Sequence, residues 1–223
     1  MADIVAQFPP EDVPVRSYMD DPDIKWRLGK PNYDLVNAKF LRERKKNHPV
    51  GSLHRTVENI FKTFEMEAGH KMDAKQWKSV VPDGSFRFRC NNGKWYHAED
   101  LIAVGNYNVF LMQCPYYSAK TSTFEESHVW FKSCFSDGFA WELLDVHADL
   151  PTVTVEWRHW SHFNGRYQDQ EPTGELLEFV GSAILQVDEE LRVKEIQFYY
   201  DPTPIMMALT GGKVVCPEAH KQL

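Results

Sequence analysis

The chain has 223 residues, 43% of them hydrophobic, which is enough for one sizeable core and leaves room for no more than a small second domain. Its formal net charge of −7 argues against a general nucleic-acid or anionic-membrane surface, since both need a basic field. No window approaches the roughly eighteen apolar residues of a membrane span, and the first residues lack the basic and apolar regions of a secretory leader. Cys90, Cys114, Cys134 and Cys216 lie far apart with no C-x-x-C pair and read as reduced thiols, so a cytoplasmic protein is expected. The terminal Lys221, Gln222 and Leu223 share only the leucine with a peroxisomal address.

In chain order, Pro9, Pro10, Pro14, Pro22 and Pro31 mark residues 1–31 as an extended arm. The arm is expected to wrap the domain, because Trp26 and Leu28 are costly to leave in water. Helical patterning follows the cap sequence Asn32, Tyr33, Asp34 and runs to about Lys46, the basic run from Arg42 being its solvated end. A stronger helix begins at Ser52, with Leu53, Val57, Ile60, Phe61 and Phe64 on one stripe and Glu58 four residues before Lys62. Residues 85–96 read as a hairpin about Asn91, Asn92 and Gly93. Helices are expected over about 98–113 and 124–135, the second capped by Ser122 or Thr123 with Glu125 or Glu126 as reciprocal partner. Strands follow at 139–147, 152–160, 174–187 and 191–201, then a helix started by Pro202 and Pro204 and stopped by Gly211 and Gly212. Helices first and a long meander afterwards predict an α+β domain over 32–212: a cone-shaped barrel of strongly curved antiparallel sheet with helices on its concave face. Residues 213–223 form a tail.

This order resembles the nuclear transport factor two-like fold, in particular its SnoaL-like, polyketide cyclase-like branch. The resemblance is carried by Gly174 and Glu175 before a long strand, the turn Asp188 to Glu190, Glu195, and Tyr199, Tyr200 and Asp201 before a short apolar helix. A closer resemblance is to the plant and fungal pathogen-related protein group. It rests on Lys25 to Gly29, Pro31 to Asp34, Gly51 to Leu53, Lys62 to Glu67 with His70 and Lys71, Tyr107 and Asn108, Gly138 to Ala140, Leu144 to Val146, and Arg158 to Trp160. Plant members carry a tryptophan where this chain has Phe64 and lack the aspartate of Asp201, a departure that brings this chain nearer the SnoaL-like enzymes. The resemblance implies the fold; the chemistry of this scaffold varies from cyclisation and dehydration to none.

The candidate chemistry is read residue by residue. Along 153–160 one face presents Val153, Val155, Trp157 and His159. If that face is concave, His159 becomes a buried base with Trp157 as a wall; the alternative is a core histidine bonded to a carbonyl. On the other face Glu156 and Arg158 pair across strands and Trp160 covers a subunit contact. Asp201 is either the acid/base suggested by the SnoaL-like pattern or a cap for the final helix. Glu67 and His70, three apart, make a second carboxylate and histidine pair, or else the solvated end of their helix. His128 reads as a satisfied core histidine. Seven tryptophans and 13% aromatic content fit a pocket walled by Phe64, Tyr107, Phe131, Trp141 and Trp157, or a sheet-mediated dimer. His147, His159 and His162 do not make a metal site on alternating strand faces, and Gly211, Gly212 and Lys213 lack phosphate-loop spacing, so neither metal nor cofactor is expected.

The expectation is therefore a homodimer, paired through the outer sheet face, acting on a small apolar or aromatic compound by cofactor-independent acid/base chemistry: cyclisation, isomerisation or dehydration. The alternative is a defence-associated binding protein without catalysis. A third is a scaffold that uses its sheet as a protein interface.

Overall fold

The computed structural model describes residues 5–215, so Cys216 and the terminal tripeptide lie outside the described residues. Its elements are α1 (Asp34–Glu43), α2 (Leu53–His70), β1 (Arg87–Cys90), α3 (Ala98–Val104), α4 (Asn106–Phe110), α5 (Phe124–Cys134), β2 (Ala140–His147), β3 (Thr152–His162), β4 (Leu176–Val187), β5 (Val193–Tyr200) and α6 (Thr203–Thr210). No helix among the described residues is long and apolar enough to cross a membrane.

Local chemistry explains where the helices begin and stop. The Ser52 hydroxyl accepts from the Arg55 N–H at 3.2 Å and starts α2, whose Val57, Phe61, Phe64 and Ala68 are buried in the core. Thr123 and Glu126 exchange bonds at 3.1 and 2.9 Å in a capping box that opens α5. The single helix expected over 98–113 is two. Gly105 breaks it with φ +92°, and a β-carbon there would lie 2.7 Å from the Phe124 ring.

The sheet order is β1-β5-β4-β3-β2. The four long strands form the expected antiparallel meander, with register shifts between Leu143 and Asp145 and between Gln186 and Val187 that help it curve. Two details differ from expectation. β1 runs parallel to β5, pairing Arg87 with Glu195 through Cys90 with Phe198, so the sheet is mixed where an antiparallel one was expected, and it is not closed. The hairpin partner reduces to one bridge, Phe88 with Tyr96, each N–H 2.8 Å from the other's carbonyl, after the turn at Asn91 and Asn92.

The concave face carries Leu143, Val155, Trp157, Ala183, Leu185, Ile196 and Phe198, all buried against α2. On the other face Trp160, expected at a subunit contact, is fully buried within the same chain. Phe40 and Leu41 of α1 cover it, and its indole N–H donates to the Glu43 carboxylate at 2.9 Å. Arg158 pairs with Glu142 at 3.0 Å and Glu178 at 2.7 Å. The described part of the arm lies against the domain: Trp26 bridges Lys71, Ser17 N–H donates to the Thr63 hydroxyl, and Arg27 pairs with Glu125. Leu28, however, is 54% exposed.

Candidate functional site

Between α2 and the concave sheet lies a cavity of about 200 Å³. Helix α2 turns Phe61, Lys62, Phe64, Glu65, Gly69 and His70 towards it, and the strands answer with Trp141, Trp157, His159, Phe179, Phe198 and Tyr200. Their rings form a continuous wall: Phe179 contacts Trp157, His159 and Tyr200 at centroid separations of 5.4, 5.6 and 5.8 Å, and Phe61 contacts Trp141 at 5.2 Å. A polar group of side chains completes the lining. Arg16 from the arm lies 3.7 Å over the Tyr33 ring, Tyr33 meets His70, His70 meets His128, and His128 meets Tyr107.

The residues expected at the site divide by placement. Phe64, Tyr107, Phe131, Trp141 and Trp157 all line the cavity, as do His159 and His70. Glu67 does not. Its carboxylate is fully buried on the other side of α2, accepting from Lys71 Nζ at 2.7 Å, from the Lys78 and Ser79 N–H groups at 3.0 and 2.9 Å, and from the Ser79 hydroxyl at 2.6 Å. Glu67 thus spends its carboxylate on Lys71, Lys78 and Ser79 and not on His70, which lines the cavity. Asp201 is exposed and accepts from the Thr203 N–H at 2.8 Å, the capping alternative, while its neighbour Pro202 borders the cavity. His128, read as a core residue, is half-buried and faces the cavity. His162 sits outside, 3.0 Å from Lys39 Nζ, and His147 pairs with Glu156, so neither shares a site with His159.

Electrostatics distinguish the titratable groups of the lining. Glu65 borders the cavity with 57% of its side-chain surface uncovered, and desolvation by the groups packed around it raises its pKa against the opposing pull of Arg16 and Lys62. Lys62 is brought down to about 8 by burial and donates to the Trp141 carbonyl at 2.6 Å. Burial holds His159 at about 3, opposed by its bond to the Ala140 carbonyl at 2.9 Å. His70 is likewise held at about 3, by burial and then by His128. A carbonyl only accepts, so His159 Nδ1 carries the hydrogen and Nε2 is left as an acceptor. Among the described residues Arg16 Nε, Tyr33 Oη and Trp157 Nε1 are buried without a hydrogen-bond partner, and all three side chains line the cavity.

Glu65 had a signal in the sequence, a carboxylate four residues after Phe61 on the apolar stripe. Arg16 had none, because the arm has no periodicity to place it.

No family model matches the chain. Among solved structures it is similar to IdmH of Streptomyces antibioticus, provisionally described as a polyketide cyclase (13% identity, 70% of this chain and 96% of that one, TM-score 0.44). It is also similar to an NTF2-like protein of Burkholderia thailandensis (13% identity, 71% and 95%, TM-score 0.37). A pathogen-related protein of Hordeum vulgare is 34% identical over 184 residues, 79% of this chain and 78% of its own length. At that identity and coverage, the chain belongs to the pathogen-related protein family.

Proposed function

We propose that the cavity holds a small ring-containing molecule and that the protein moves a proton on it, with Glu65 as the acid/base group and His159 as a hydrogen-bond acceptor. The observation that carries this reading is a largely aromatic enclosure in which Arg16, Tyr33 and Trp157 bury unpartnered polar atoms. An apolar cavity of about 150 Å³ accepts benzene. A space of about 200 Å³ therefore suits one substituted ring or a compact bicycle. An imidazole held at about 3 is a weak base near neutrality, so His159 serves better to orient a ligand hydroxyl than to take its proton. Glu65, raised by burial, is the better matched proton acceptor and can return the proton to a neighbouring atom. Cyclisation, isomerisation and dehydration all consist of such removal and return. Neither Glu67 nor Asp201 takes part.

A second reading, a defence-associated binding protein without catalysis, is favoured by the same low values at His70 and His159, which leave Glu65 with few partners for proton relay. Native mass spectrometry of the purified protein, with extraction and incubation of whatever is bound, separates the two. A co-purified ring compound that is converted, with Glu65→Gln lowering the rate by about 10²- to 10⁴-fold while still binding it, supports the enzyme. A tightly bound compound returned unchanged supports the binding protein. An empty protein that takes up no ring compound overturns both.

A further inference from the structure

We propose that the molecule received by this cavity is a ring compound bearing a carboxylate, and that Arg16 of the arm is the residue that selects it. The inference rests on the ligand-binding part of the reading above and adds to it the chemical class.

The Arg16 side chain is only 4% exposed. Its Nη1 donates to the Asn37 side-chain oxygen at 2.8 Å and its guanidinium stacks on the Tyr33 ring, which fixes its plane. Nε lies 4.0 Å from the nearest Glu65 oxygen, too far for a hydrogen bond, and has no other acceptor among the described residues. The Tyr33 hydroxyl beside it is also buried and unpartnered. Two buried donors therefore lack acceptors at one wall of a largely aromatic cavity. Leaving them so is costly, and a ligand that supplies the acceptor recovers that cost. A guanidinium N–H with a neighbouring hydroxyl matches one carboxylate, whereas a phosphate would bring a second charge against Glu65 and call for more donors than the wall provides.

Glu65 makes the inference testable beyond affinity. A carboxylate arriving beside it disfavours its ionised form, so binding should draw a proton from solution. The other titratable groups around Glu65 are Tyr33, Lys62, His70, Tyr107 and His128. Burial pulls both histidines below their ordinary value and pushes the Glu65 carboxyl above its own, so the carboxyl is the group poised to take up the proton.

The probes are benzoate and 1-naphthoate against their primary amides, titrated calorimetrically into the full chain near pH 7 in two buffers of different ionisation enthalpy. The carboxylates are expected to bind about 10- to 100-fold more tightly than the amides, the range for a hydrogen bond to a charged group, with net proton uptake. Arg16→Gln should bring the carboxylates down to the level of the amides. Because that substitution also loosens the arm, Glu65→Gln is the second variant: it should keep the carboxylate preference and lose the proton uptake. Amides binding as tightly as carboxylates, or a carboxylate preference untouched by Arg16→Gln, overturns the inference while leaving a ring-binding cavity in place. Binding of neither probe class overturns the cavity reading as well.

Discussion

Glu65 and Glu67 stand two residues apart on α2, which the helical period turns through about 200°. That rotation gives one carboxylate to the cavity and the other to the scaffold. Glu67 holds the Lys78 and Ser79 backbone, and the Ser79 carbonyl in turn accepts from Val193 at 2.7 Å, so this side chain ties α2 to the edge of β5. Glu67→Ala should therefore cost about 3–5 kcal/mol in chemical denaturation, the penalty of stranding its buried partner Lys71. The histidines add a pH signature. His70 and His159 titrate near 3 when folded and near 6.5 when unfolded, so between those values the unfolded chain binds more protons and stability rises with pH. Acid should begin to weaken the fold at about pH 6.5, above the usual carboxylate range. His159→Gln should flatten part of that slope in denaturation midpoints measured from pH 4 to 7. A slope unchanged in the variant would place the titration elsewhere.

At the scale of elements, alternation and capping were legible because they are local. The four long strands, α1, α2 and the Thr123 cap lie within a few residues of where the pattern put them. What was not legible depends on distant partners. Gly105 breaks the expected long helix because Phe124 packs where a side chain would go, and nothing near Gly105 announces Phe124. β1 finds its parallel partner 108 residues away, at the pairing of Arg87 with Glu195. The same logic applies to Gly181 on β4, which faces Trp157. A β-carbon there would fall 2.5 Å from the indole and 2.5 Å from the Tyr199 carbonyl. Gly181→Ala should destabilise by about 1–3 kcal/mol and displace this cavity wall, seen as a lower thermal midpoint and altered tryptophan fluorescence.

Across the whole molecule, the site is assembled from the arm, the helical first half and the sheet of the second half. Composition foretold its aromatic walls, and Phe64, Tyr107, Phe131, Trp141 and Trp157 do line it. Its polar wall was harder to foresee, since Arg16 reaches the cavity from a segment without periodic pattern, held through Asn37 and Thr63. The parallel pairing of β1 with β5 also bears on biosynthesis. A nascent chain emerges from the ribosome with β1 complete long before the last strand exists, and its pairing edge must wait roughly a hundred residues for a partner. This early strand is thus among the last to be paired, and the chamber wall lacks Phe198 and Tyr200 until translation has passed them.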